Sequence, residues 1–192
     1  MTLTSTPLKT TVRWNIQDLA GFPDNGNCYE IIDGELFVTR APHARHQDIA
    51  GQIYAELRNW SRQTKLGLPY FGPGVIFSPE DAVIPDVVWA SQQCINTALD
   101  EAGHFTRAPE LMVEVLSLAP KDQDRDRRTK LKLYTAYGVR EYWIADRQTQ
   151  TLEVYRWQNN QLRRWATLKG SDRLTSPLLP DFSCEIGIFF EQ

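Results

Sequence analysis

The sequence has no cysteine framework. Its three cysteines, Cys28, Cys94 and Cys184, are odd in number, far apart and outside any C-x-x-C pair, which argues against a disulfide scaffold and against a zinc site. Long apolar runs are missing too: the longest, 111–118 and 186–190, fall far short of the roughly 20 residues of a membrane-spanning helix. The opening MTLTSTPLKT lacks the apolar centre of a secretory leader, so the expectation is a cytoplasmic protein with no membrane association. Positive charge is not in excess. With 21 basic against 24 acidic residues the net charge is −3, and the chain as a whole lacks the footprint of a strong non-specific nucleic-acid binder. No Gly-rich phosphate loop, H-E-x-x-H or G-x-S-x-G element occurs, which leaves P-loop hydrolysis and the commonest protease and esterase chemistries without support.

What is present is an ordinary globular composition, 42% hydrophobic and 23% charged over 192 residues, enough for one well-buried core. Residues 1–13 read as a loose N-terminal arm and 14–192 as a single domain, opening with a short helical piece at 14–20.

The segment YEIIDGELFVT (29–39) divides at Asp33-Gly34 into two β-rich runs, the pattern of a tight hairpin. Over 43–65, Ile49, Ala50, Ile53, Leu57 and Trp60 recur at helical spacing, which predicts an amphipathic helix. GPGVIFSP and VIPDVVWA (83–90) read as strands, with Pro85 marking an edge or irregularity. Residues 91–109 read as an irregular excursion. LMVEVLSL (111–118) is an almost continuous apolar run of strand length, the signature of a central strand buried on both faces. A helix over 122–137 stops at Gly138 and leads into the strand EYWIA. Runs at 151–157 and 161–168 predict a hairpin around QNN, and 184–190 a last strand. Strands and helices alternate, so the fold class is α/β.

Two carboxylates stand out. Glu114 interrupts the most apolar strand of the chain and Asp86 sits inside VIPDVVW; an unpaired carboxylate in such a place costs several kcal/mol, so each demands a cation, a metal or a hydrogen-bond network. A magnesium ion takes only one or two carboxylates and fills its other positions with water and substrate phosphate, a requirement that this pair fits. The plain structural alternative for either acid alone is a salt bridge to an arginine.

At about 100° per residue, Asp126, Lys130, Leu133, Tyr134 and Tyr137 share one face of the 122–137 helix. Lys130 therefore points at the sheet, where it either steadies water and developing charge at phosphorus or forms a plain buried ion pair. His46 shares the face of Ile49, Ile53 and Leu57, and a satisfied core histidine is its favoured role. Glu35, just after the Asp33-Gly34 turn, aims at the site or at water; alternation does not decide. Residues 121–132 hold six basic and three acidic side chains, a local surplus suited to a phosphate backbone or to a solvated helix face.

Taken in order, YEIIDGEL, the helix opening at His46, PDVVW, LMVEVLS, D-x-x-x-K-x-x-x-Y at 126–134 and GVREYWIAD resemble the Uma2-type restriction-endonuclease-like family of the PD-(D/E)XK nuclease superfamily. The resemblance spans roughly residues 14–157. It implies a restriction-endonuclease-like core, with a central mixed β-sheet flanked by α-helices and additional β-hairpins. It also implies Mg²⁺-dependent cleavage of DNA phosphodiesters, Mn²⁺ being a possible substitute, and often a homodimer. Asp86 matches the motif aspartate and Glu114 the following acid. The superfamily pattern has lysine two residues after that acid, where this chain has Leu116, and Lys130 looks like its migrated replacement.

Three functions compete at this point. The first is a metal-dependent DNA endonuclease using Asp86, Glu114 and Lys130. The second is a nuclease-fold binding or structural protein that has kept the residues without useful turnover. The third is a hydrolase of RNA or another phosphate ester.

Overall fold

A computed structural model describes residues 12–191. The expected loose arm falls mostly outside the described residues, but its last position is tied down: the Arg13 guanidinium bridges Asp33 and Glu80, and the Trp14 N–H donates to the Gly34 carbonyl at 2.8 Å. The helical piece expected at 14–20 reduces to one 3₁₀ turn, Asp18–Gly21.

Strands β1 (Cys28–Ile32) and β2 (Glu35–Thr39) form the expected hairpin. Asp33 and Gly34 take φ of 50° and 68°, the double left-handed turn whose twist matches the strands it joins. Helix α1 (Ala44–Thr64) starts at His43, whose ring accepts from the Arg45 N–H, and ends at Lys65 in the left-handed conformation. Its buried stripe, His46, Ile49, Ala50, Ile53, Leu57 and Trp60, is the one read from the sequence.

Strands β3 (Gly67–Phe71), β4 (Val75–Ser78), β5 (Asp81–Val83) and β6 (Val87–Ser91) follow. The run 83–90 is therefore two strands in two sheets, broken at Ile84-Pro85-Asp86, because Pro85 has no N–H to continue a ladder. The excursion expected at 91–109 contains a helix, α2 (Gln92–Ala98), capped by Ser91, whose hydroxyl accepts from the Cys94 N–H; it shows no apolar periodicity, and the cap was its one signal. Then come β7 (Leu111–Val115) and a helical segment of three parts, α3 (Pro120–Asp124), a π-helical turn Arg125–Lys130, and α4 (Leu131–Ala136). Strands β8 (Glu141–Asp146), β9 (Thr151–Gln158) and β10 (Gln161–Lys169) complete the main sheet. The strand expected at 184–190 is corrected: β11 (Arg173–Ser176) pairs with β12 (Leu179–Glu185), and Ile186–Phe190 is a 3₁₀ turn. A five-residue apolar run fits either shape by periodicity alone.

The central six-stranded sheet is ordered β10-β9-β8-β7-β6-β3 and is mixed, with β7 and β8 parallel across the α3–α4 crossover and its other pairs antiparallel. A four-stranded sheet runs β2-β1-β5-β4. Alternation divides the core. Trp89, Val113, Val115 and Trp143 pack on α1 and β12, whereas Val88, Met112, Tyr142 and Ile144 pack with Leu133 and Tyr134 of α4 and with Ile32 of β1. Glu114 shares the parity of Met112, so it points at α4 and β1.

Candidate active site

Burial explains where Glu114 finds its partners. Its Oε1 accepts from Lys130 Nζ at 2.8 Å and from the Tyr134 hydroxyl at 2.8 Å. Lys130 is 2% exposed and also meets Glu30 Oε1 at 2.9 Å, while Asp126 Oδ1 lies 4.0 Å away. An ammonium has three N–H groups, so two are engaged and the third has only that distant oxygen. The π-helical turn sets this geometry: it carries Asp126 at one end and Lys130 at the other, both buried, and such turns recur at functional sites. The face predicted for the helix holds for Asp126, Lys130, Leu133 and Tyr134, whereas Tyr137 emerges at the surface.

Asp86 reaches the same place from the break between β5 and β6. Its Oδ2 accepts from the Val115 N–H at 2.7 Å, one residue from Glu114, and faces His46 Nε2 at 3.1 Å. Among the described residues, no protein donor bonds Asp86 Oδ1 or Glu114 Oε2. His46 is thus no bystander of the core: one ring nitrogen holds Asp86, while its buried Nδ1 has no protein partner.

The charges crowd one another. Burial drives the Glu114 carboxyl well above the usual carboxylate range; Lys130 pulls it back, and Asp86, Asp126 and Glu30 push it up again. Asp126 is raised for the same reason, burial, partly offset by Lys130 and Arg125. For Lys130 burial acts to discharge the amine, but Glu114, Glu30 and Asp126 outweigh it and the ammonium is held charged. For His46 burial again lowers the affinity for a proton, and the Asp86 hydrogen bond and charge more than restore it.

These side chains form one wall of a cleft of about 770 Å³, lined also by Arg40, His43, Phe71, Leu118, Lys121 and Arg147. Asp86, Glu114, Lys130 and His46 all reach it. Glu35 does not; it is exposed at the turn end of β2. The sequence reading missed Glu30, a buried carboxylate that accepts from the Ile84 N–H at 2.9 Å as well as pairing with Lys130. Its signal was the one that marked Glu114, a single acid inside an apolar run, CYEII.

Residues 16–187 match the Uma2 family, described as "Putative restriction endonuclease". The chain belongs to the Uma2 family. Its fold also matches a crystal structure from Anabaena variabilis ATCC 29413, described as a "putative nuclease belonging to DUF820". That match has a TM-score of 0.75 at 18% identity and covers 92% of this chain and 97% of that one. Among curated proteins, none matches. The chain thus has the fold of that crystal structure and belongs to a family described as a putative restriction endonuclease, and no helix among the described residues is long and apolar enough to cross a membrane.

The residues fit a divalent cation in charge and in donor type. Four acidic groups, Glu30, Asp86, Glu114 and Asp126, stand against two cations, Lys130 and Arg125, and a divalent cation would favour the ionised forms that burial opposes. Asp86 Oδ1 and Glu114 Oε2, together with the buried Asp126 Oδ1, have no protein hydrogen-bond donor among the described residues, and such oxygens are hard ligands. Among the described residues no three Asp, Glu, His or Cys side chains are grouped as ligands for one ion.

Proposed function

We propose that this Uma2 protein is an Mg²⁺-dependent endonuclease that hydrolyses DNA phosphodiesters, with the metal held by Asp86 and Glu114. The observation that carries the reading is the convergence of Asp86, Glu114 and a buried, charged Lys130 on the wall of one large cleft. Bound Mg²⁺, or Mn²⁺ in its place, would supply Lewis-acid polarisation of the scissile phosphate.

The protein's own groups have distinct tasks. Asp86 is oriented by the Val115 N–H and by His46, so Oδ2 is occupied and Oδ1 is left for a ligand. Glu114 is oriented in the same way through Oε1 by Lys130 and Tyr134. Because Lys130 is held charged, it is not a base. Its remaining N–H steadies the attacking water or the charge that grows on phosphorus. Glu30 positions Lys130 and takes no part in the chemistry.

The test is cleavage of supercoiled and single-stranded DNA with Mg²⁺, Mn²⁺ or EDTA, comparing wild type with Asp86→Ala, Glu114→Ala and Lys130→Ala. Metal-dependent cutting lost in all three variants is the expected result. Metal binding without cutting by the wild type would favour the second reading, a nuclease-fold binding protein. One observation supports that alternative: Leu116, 1% exposed, fills the place where the superfamily has lysine. RNA as substrate is tested in the same assay. The homodimer and the cytoplasmic location rest on the family resemblance and on sequence composition, and sedimentation and cell fractionation test them.

A further inference from the structure

Eight large apolar side chains remain exposed among the described residues, and three of them, Val38 at 49%, Phe71 at 46% and Leu118 at 52%, line the cleft that holds Asp86 and Glu114. They come from three separate places, β2, the end of β3 and the segment after β7. Their convergence is therefore a property of the fold and not of one apolar stretch. Five cations line the same cleft, and three of them, Arg40, Lys121 and Arg147, stand apart from the buried Lys130 and the partly buried Arg125. Among the described residues none of the three is within ion-pair distance of a carboxylate, whereas Arg125 and Arg127 each meet two or more.

Unpaired cations beside apolar side chains suit a polyanion that also has apolar faces. In a duplex the bases are stacked and paired inward, and a phosphate-directed cleft meets only backbone; Val38, Phe71 and Leu118 would bury little. An unpaired strand offers each base as a π-face beside its phosphate, and aromatic side chains in basic grooves bind single strands in this way, tolerant of sequence. The cations are also needed for a second reason: the acidic wall would otherwise repel the phosphate that has to approach it. Phe71 is braced for stacking, with the Tyr54 ring edge-on at 6.1 Å.

We propose that the cleft takes unpaired nucleotides, in a single strand or a locally opened site, with Phe71 and Leu118 contacting bases and Arg40, Lys121 and Arg147 contacting phosphates. This rests on the nuclease reading for the polymer but not for its cleavage. The test is fluorescence anisotropy on the full chain with Ca²⁺, using a short labelled single strand and the blunt duplex of the same sequence.

The single strand is expected to bind at least roughly tenfold more tightly than the duplex, and Phe71→Ala to weaken it roughly tenfold, with less loss for Leu118→Ala. Phe71→Trp should retain the affinity and Phe71→Leu should not, a contrast that a merely structural role would not produce. Equal affinity for the duplex, or no effect of Phe71→Ala on single-strand binding, overturns the proposal. A change in sedimentation mass on Phe71→Ala with affinity unchanged would also overturn it and make the patch an interface between copies. Selective single-strand binding without cutting in any metal sinks the nuclease reading alone; duplex cutting that ignores Phe71 sinks this proposal alone.

Discussion

Lys130 and Glu114 meet at 2.8 Å with both side chains almost fully removed from solvent, at 2% and 5% exposed. A buried pair of this kind contributes little relative to an apolar pair of the same shape, but losing one partner is costly because the other is left charged and desolvated. Lys130→Met leaves Glu30 without its buried cation and takes from Glu114 the cation that favours its ionised form. It should lower the unfolding free energy by about 3–5 kcal/mol, read by urea denaturation at neutral pH; a loss below about 1 kcal/mol would mean that the carboxylates had found other donors.

The same crowding predicts how stability and metal binding depend on pH. Burial raises Glu114 from 4.5 to about 8 in the folded protein. Its contribution to stability is therefore fully present below about pH 4.5 and is lost as pH rises through about 8, because in that window the folded state binds more protons than the unfolded one. A divalent cation must displace that proton, so the gain in Tm on adding Mg²⁺ should be larger at about pH 8 than at about pH 6. Glu114→Gln should flatten the pH slope and remove the metal response. An equal Mg²⁺ shift at both values would refute the assignment of Glu114 as a ligand.

Glu30 and Glu35 show why part of this site was legible in the sequence and part was not. Glu114 announced itself because a lone acid in LMVEVLSL has no cheap explanation, and the helical count placed Lys130 opposite it. In the hairpin, alternation gets the face right: Glu30 pairs across from Phe37, and Ile32 from Glu35, on one side of the ladder. It cannot tell how far along the strand the cavity lies. Glu35 sits two residues further on, roughly 7 Å, past the core and in water. His46 and Asp86 were likewise separate signals, and their contact follows from a break at Pro85 whose direction no local pattern encodes. Helix α2 lacked apolar periodicity, and the alternation of Phe182 and Cys184 in β12 runs on through Ile186 into an apolar stretch that the structure winds into a 3₁₀ turn.

Gly67 offers a test of the frame without touching the site. It opens β3, opposite Ser91 of β6, and a Cβ there would stand 2.2 Å from the Ala90 carbonyl oxygen and 2.6 Å from the Trp89 ring. Neither the Ala90 backbone nor the buried Trp89 ring, 3% exposed, can yield cheaply. Gly67→Ala should cost about 1–3 kcal/mol of stability and lower Tm accordingly, while the Mg²⁺-induced shift in Tm stays as in wild type. Tm unchanged would mean that β3 is free to move away from β6.

Leu116 makes the position of the lysine itself testable. It follows Glu114 by two residues and packs, 1% exposed, in the cluster that contains Leu133 and Tyr134; a lysine there would start just after β7, whereas the present one is the last residue of the π-helical turn. If what matters is an ammonium beside Glu114 and not the element that carries it, moving the lysine should restore function that its removal destroys. Lys130→Met alone should reduce metal-dependent DNA cleavage by about 10²-fold or more, the scale on which losing one charge-stabilising donor acts. Leu116→Lys combined with Lys130→Met should recover a measurable part of it, and the pair should lie closer to wild type in urea than Lys130→Met does, because Glu114 regains a cation. Cleavage rates and unfolding midpoints of the four proteins form a double-mutant cycle. Coupling near zero in both would mean that the ammonium acts through Glu30 and the π-helical turn, a geometry that a lysine just after β7 does not reproduce.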